Sequence, residues 1–351
     1  MKCLAFLAAT AGIAVTVSLA GCGGGSTGAG STGGAGSSPA GAATYINIDG
    51  SSTVFPATEA VAEEFQKQNP NVRVTVGISG TGGGFKKFCR GETDISNASR
   101  PILAEEMELA RQNGVEYIEL PICFDALTIA VHPQNDWCTS MTVAELKKVW
   151  EPGAQGKITR WNQIRSDWPD QPMKLFGAGS DSGTFDYFTE AVVGKAKSSR
   201  GDYTGSEDDN VLVQGVAGNR YALGYIPFAY FEPHQDRMKA VAIQWEENAV
   251  KEPVLPSLES VLAGKYNPLS RPLFIYVSRK SAEKPEVQQF VEFYLKNGAQ
   301  LVREVKYLPL PEKAYTMGLE RFQKQQTGSG FGGSPEIGLP VEEILRRTPK
   351  S

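Results

Sequence analysis

Between residues 44 and 326 the chain switches repeatedly between two hydrophobic periods. Short runs that alternate apolar with polar, or are continuously apolar, predict strands at 45–49, 72–78, 116–120, 125–131, 173–176, 222–226, 240–244 and 273–277. Apolar residues three and four apart predict helices at 57–68, 103–113, 143–149, 185–193, 210–217, 258–263, 285–296, 300–305 and 311–325. Strand and helix in alternation imply an α/β architecture with mostly buried sheets. No internal repeat stands out. The ends of the chain break the pattern. Residues 23–43 are almost entirely Gly, Ser, Thr and Ala, with no apolar face to bury. Residues 327–351 are rich in Gly and Pro and read as a loosely held tail, with a short helical pattern at 341–345.

The N-terminus reads as a targeting segment. Lys2 supplies positive charge ahead of a short apolar run, which is too short for a comfortable membrane span. The run ends in Leu19-Ala20-Gly21-Cys22, which matches the lipobox of bacterial lipoproteins. The reading is a signal peptide over 1–21, a lipidated Cys22 and a flexible tether to 43, whose reach is about 25 Å.

Charge narrows the partners. The chain has 351 residues, 21% of them charged, and a net charge of −4. There is no basic excess for nucleic acid and no basic patch for a membrane surface, so any anion site must be local.

Three strand-to-helix turns have the composition of such a site. They are Gly50-Ser51-Ser52-Thr53-Val54-Phe55-Pro56, Ser79-Gly80-Thr81-Gly82-Gly83-Gly84 and Gly177-Ala178-Gly179-Ser180-Asp181-Ser182-Gly183-Thr184. A helix N-terminus carries unpaired N–H groups and about half a positive charge, which suits an anion. Ser and Thr add hydroxyl donors, and Gly lets a ligand approach the backbone. Any one of these turns is equally well read as a plain helix cap. Three of them converge naturally on one ligand, because in open α/β sheets ligands bind beyond the carboxyl ends of the strands.

Other chemistries fit less well. Asp181-Ser182-Gly183 has the look of a serine nucleophile turn, but the chain has only two histidines, His132 and His234, both beside prolines. No Cys-x-x-Cys or His-x-x-x-His spacing points to a metal, and Glu207-Asp208-Asp209 reads as acidic first-turn residues of a helix. No cofactor is implied. Of the mature cysteines, Cys123 lies in an apolar run and reads as a buried small hydrophobe. Cys89 and Cys138 sit in more polar surroundings and read as a disulfide, with three free thiols as the alternative.

Taken together, the turns at 50–56, 79–88 and 181–184 resemble the phosphate-binding protein of the high-affinity phosphate ABC transporter. So do 91–102 (Gly-Glu-Thr-Asp-Ile-Ser-Asn-Ala-Ser-Arg-Pro-Ile), 206–210 and Pro268-Leu269-Ser270-Arg271-Pro272-Leu273. The form is the one found in cyanobacteria and their relatives, and the resemblance runs from about residue 45 to about 320. It implies a type II periplasmic-binding-protein fold, with two lobes of mixed sheets joined by crossover strands. The first lobe is 44–130 plus 270–326 and the second 131–269, with hinges near 130–133 and 267–272.

The function implied is capture of inorganic phosphate by a monomer anchored outside the cytoplasmic membrane, and its delivery to the permease. The implied ligand set is Ser52, Thr53, Val54, Ser79, Thr81, Ser99, Arg100, Asp181, Ser182, Gly183 and Thr184, with Ser52 and Thr53 alternatives for one inward hydroxyl. In the enterobacterial form an aspartate accepts the ligand's proton and an arginine precedes the Ser-Gly-Thr turn; here Ser99 and Ala178 stand at those places. The resemblance therefore passes the arginine's role to Arg100 and the carboxylate's to Asp181, with Asp125 and Asp209 in reserve. Another tetrahedral oxyanion (sulfate, molybdate or tungstate) and an exported phosphatase are the alternative functions.

Overall fold

The computed structural model describes residues 43–350 apart from 181, 207, 335 and 337; the signal peptide, Cys22, most of the tether and Asp181 lie outside the described residues. The strands are β1 (Thr44–Gly50), β2 (Val72–Val76), β3 (Ile95–Ala98), β4 (Tyr117–Val131), β5 (Ser140–Thr142) and β6 (Lys174–Ala178). They continue with β7 (Thr204–Ser206), β8 (Ala222–Pro227), β9 (Lys239–Ala240), β10 (Ala242–Gln244), β11 (Ser270–Ser278) and β12 (Leu308–Pro309). The helices that matter below are α1 (Phe55–Gln68), α2 (Gly80–Phe88), α3 (Ala104–Gln112), α4 (Val143–Trp150), α5 (Gly183–Phe188) and α6 (Asp209–Ala217). Four more are α7 (Phe228–Phe231), α8 (Leu258–Leu262), α9 (Pro285–Glu304) and α10 (Glu312–Gln323), and α11 (Val341–Arg346) closes the chain.

Among the described residues one mixed sheet runs in the order β2-β1-β3-β11-β4-β8-β6-β7, with β12 and β9 also paired to β4. Parallel pairs (β1 with β2 and β3, β6 with β7 and β8) flank an antiparallel centre made by β11, β4 and β8. β4 is the spine. Its first part pairs with β11 and β12, and its last five residues pair with β8. All fifteen of its residues are buried, as befits a strand covered on both faces.

Burial explains where prediction and structure part. Separate strands are expected at 116–120 and 125–131. The structure carries the strand through, because the β4–β11 register shifts between Leu273 and Phe274, where Pro121 lies opposite Phe274. A bulge is one of the few places where a strand tolerates proline. The helices expected at 285–296 and 300–305 are one helix, α9. It buries Val287, Phe290, Val291, Tyr294, Leu295, Leu301 and Val302, and packs on α1 through Phe65 and Phe290, whose rings meet edge-on at 5.3 Å. β3 escapes prediction because its sequence, Ile-Ser-Asn-Ala, has no alternation; all four residues are buried.

The tail also departs from expectation: it is tied down by two buried charges. Glu119 accepts from Ser329 Oγ (2.6 Å), the Gly330 amide (2.9 Å) and Tyr276 Oη (2.7 Å). Arg321 Nη2 donates to the carbonyls of Ile344 (3.1 Å), Leu345 (2.9 Å) and Arg347 (3.1 Å). Both side chains are essentially inaccessible; Ser329, Gly330 and Tyr276 answer Glu119 and the tail carbonyls answer Arg321 Nη2, while Arg321 Nε and Nη1 have no hydrogen-bond partner within the protein.

Candidate functional site

The three Ser/Thr/Gly turns all leave the carboxyl ends of parallel strands, β1, β2 and β6. The first begins at Gly50, whose φ is +142° and where a Cβ would stand 2.2 Å from the Asn97 carbonyl oxygen, so only glycine fits. Ser52 follows half-buried, while Val54 is fully buried in the core and offers only its backbone. Thr53 is held firmly: its carbonyl accepts from Tyr307 Oη at 2.6 Å, and its Oγ1 lies 3.4 Å from Arg271 Nη2.

The third turn comes to meet the first. A Cβ on Gly183 would lie 2.9 Å from Thr53 Oγ1 and 3.1 Å from Thr53 Cα. Ser182 caps α5 by accepting from the Thr184 amide at 3.1 Å, which leaves its hydroxyl proton available to donate. Segments on opposite sides of β4 thus touch at Thr53 and Gly183.

The second turn is different. α2 starts at Gly80, so the glycines 82–84 are helical and not a loop. Gly84 is needed for packing, since a Cβ there would come within 2.5 Å of Gly50 Cα. Thr81 Oγ1 accepts from the Ser99 amide (3.1 Å) and meets Ser99 Oγ at 3.0 Å, which joins two of the expected residues. Ser79 is turned aside. Its hydroxyl donates to Asp49, which also binds Lys87 at 2.5 Å, so burial's upward push on the Asp49 carboxyl is overcome and its pKa falls.

Beside Thr53 lies a charge pair made of Arg271, which the expected ligand set omits, and Asp125, which it holds only in reserve. Arg271 on β11 and Asp125 on β4 are cross-strand partners. Arg271 Nη2 is 3.7 Å from Asp125 Oδ2, its Nη1 is 3.5 Å from Glu190, and its guanidinium lies over the Tyr187 ring at 3.7 Å. Its Nε and the Asp125 Oδ2 are buried with no hydrogen-bond partner within the protein. Burial pushes the Asp125 carboxyl up to about 6, against the pull of Arg271. One donor and one acceptor, both under-used, therefore stand together beside Thr53, which Arg271 reaches at 3.4 Å. An oxyanion carrying one proton requires such a pair, a donor for its bare oxygens and an acceptor for its proton.

Comparison with known proteins shows the family. The PBP superfamily domain profile matches residues 35–297. The chain is 36% identical over 277 residues to the phosphate-binding protein PstS of Staphylococcus haemolyticus, covering 79% of this chain and 84% of that one. It belongs to the PstS-like phosphate-binding-protein family. Within this family of binding proteins, not enzymes, it is also 51% identical to Protein SphX of Synechococcus elongatus over 301 residues, covering 86% of this chain and 88% of SphX. A crystal structure of a possible phosphate binding protein from Planctomyces limnophilus superposes with a TM-score of 0.77 at 46% identity, over 81% of this chain and 99% of that one. The fold is accordingly the PBP-like α/β fold with mixed sheets.

Arg100 has partners of its own within the protein. Its fork grips Glu106 at 2.9 and 2.8 Å, and Nη1 also donates to the Pro101 carbonyl at 3.1 Å. Glu106 in turn accepts from the Leu103 amide at the start of α3. Of the reserve carboxylates, Asp125 is at the site; Asp208, the neighbour of Asp209, caps α6 by accepting from the Asn210 amide. Arg271 was legible only as a lone cation at the head of an apolar strand, within a motif already noted.

The disulfide expectation is corrected. Cys89, Cys123 and Cys138 are free thiols, all buried. Cys89 packs with Phe85, Phe88 and Tyr117 and donates to the Glu106 carbonyl, while Cys138 lies in the separate, larger core cluster. Burial pushes both thiols up to about 12.

Proposed function

We propose that the chain binds inorganic phosphate between two lobes, outside the cytoplasmic membrane, and delivers it to an ABC permease. The lobes are 44–130 plus 270–326 and 131–269, and Cys22 carries the lipid that tethers the body to the membrane. The observation that carries the reading is the meeting of Thr53 with Gly183 beside the Arg271–Asp125 pair. Hydroxyls and amides of the β1 and β6 turns surround the anion, Arg271 offsets its charge, and a carboxylate accepts its remaining proton. Thr81 and Ser99 close the site from the α2 side. Because the donors come from both sides of β4, the ligand favours the arrangement in which the two sides meet, and binding shifts the protein toward it.

The acceptor gives selectivity. Phosphate near neutral pH still carries a proton, whereas sulfate meets a carboxylate with like-charge repulsion. Calorimetric titration of the full chain with phosphate, then with sulfate and molybdate as competitors, tests this. Saturable phosphate binding that neither competitor displaces supports the reading. Absence of phosphate binding, or equal displacement by sulfate, overturns it.

A further inference from the structure

A cavity of about 290 Å³ opens beside the proposed phosphate site. Its lining combines the polar Ser99, Arg100 and Arg271 with Tyr187, whose ring lies under the Arg271 guanidinium, and with Trp245 and Leu339. Its volume lies near the lower end of the roughly 300–1,000 Å³ usual for small-molecule pockets. A phosphate ion, one phosphorus among four oxygens, fills only a small part of that. Arg271 belongs to both spaces, since Nη2 faces Thr53 and Asp125 while Nη1 faces Glu190 on the cavity wall.

The far wall is built by the tail. Phe331 and Leu339 stand there because Glu119 and Arg321 bind the backbone on either side of them. The carboxylates on the wall are already answered: Glu336 is gripped by Arg347 at 2.5 and 3.1 Å, and Glu190 faces Arg271 at 3.5 Å. The lining therefore suits an uncharged arm.

We propose that this cavity takes the organic arm of a phosphate monoester, an aryl or short alkyl group, while its phosphoryl group occupies the phosphate site. The proposal rests on the phosphate reading above and extends it from the inorganic ion to small organic phosphates. The phosphoryl group meets Thr53 and Arg271, and the arm lies among Tyr187, Trp245 and Leu339. No bond is made or broken.

Phenyl phosphate is the probe, titrated into the full chain alone and in competition with inorganic phosphate. Wild type should bind it, and it should displace phosphate. Leu339 and Ala191 both line the cavity and neither belongs to the proposed phosphate donor set, so Leu339→Trp and Ala191→Trp each fill the cavity from a residue outside that set. Each should weaken phenyl phosphate by about ten- to hundredfold, the worth of one buried aromatic ring, and leave inorganic phosphate within about twofold. Two variants on different walls guard against one misfolding, and retained phosphate binding certifies each as folded. Phosphate binding without phenyl phosphate binding in wild type overturns the cavity proposal alone. So does equal weakening of both ligands in either Trp variant. Failure of wild type to bind either ligand overturns the phosphate reading as well.

Discussion

Asp125→Asn separates the two roles a buried carboxylate can have. In the fold the Asp125 carboxyl titrates near 6 instead of its ordinary 3.8, because burial disfavours its charge by more than Arg271, 3.7 Å away, restores. The folded state therefore holds this proton more tightly than the unfolded chain. The resulting stabilisation is fully present below about pH 3.8 and is lost as pH rises through 6. At about 1.4 kcal/mol per pH unit, the ionised carboxylate costs the ligand-free fold on the order of 3 kcal/mol at pH 7. Asparagine has the shape of the neutral acid and never ionises. The variant should thus be more stable than wild type at pH 7, by up to about 3 kcal/mol, and the difference should vanish near pH 4. In the proposed site the same change removes the acceptor for the phosphate proton. Affinity should fall by about ten- to hundredfold, the worth of a charge-assisted hydrogen bond, and sulfate should be rejected less strongly. Urea denaturation in phosphate-free buffer from pH 4 to 8, with calorimetric titration of both anions, measures each part. A variant less stable than wild type at pH 7 would show that Asp125 serves the fold as Arg271's ion-pair partner, and the burial argument would fail. An unchanged preference for phosphate over sulfate would move the acceptor to another residue, Asp181 first.

Three further outcomes are expected. Gly183→Ala places a Cβ 2.9 Å from Thr53 Oγ1, so phosphate affinity should fall at least tenfold while the ligand-free melting temperature barely moves; solution scattering with phosphate should then show less compaction than wild type. The native protein at pH 8 should resist alkylation at Cys89, Cys123 and Cys138, and denaturation without reductant should expose all three thiols; a Cys89–Cys138 crosslink on mass mapping would refute the burial account. Cys22→Ser should abolish lipid labelling, and membrane attachment that persists in that variant would refute the lipoprotein reading.

Much of this was readable beforehand because its signals are local. The alternation of strand and helix rests on hydrophobic period, and the three turns rest on residue types that open helices. Thr53, Thr81, Ser182 and Gly183 are named from their turns and Ser99 from the family resemblance, and the structure joins Thr53 to Gly183 and Thr81 to Ser99. What escaped depends on partners far along the chain. Asp125 is held in reserve as an acceptor, but its pairing with Arg271 comes from cross-strand register, which no spacing of 146 positions announces. Ser79 was a sound donor by composition, yet Asp49, 30 positions earlier, takes its hydroxyl. Arg100 had the right charge, but Glu106 six residues on completes its fork. The tail looked loose because its own side chains are unremarkable in pattern; the charges that hold it lie in β4 and α10.

The position of β11 has a consequence for assembly. It is threaded between β3 and β4, so that two strands finished early in synthesis are joined only by a strand made some 140 residues later. Until residues 270–278 emerge, β3 and the first part of β4 each present an unpaired backbone edge. Such edges pair readily with other chains. β8, β6 and β7 need nothing beyond residue 227 to pair with one another and with the end of β4, so this part of the sheet can form first. The β1–β3 part then closes in one late, long-range step, which brings in β11, α9 and the tail in quick order. Folding should therefore be slow and sensitive to concentration, and a chain cut before residue 270 should aggregate through its β3 and β4 edges instead of stopping at a stable half.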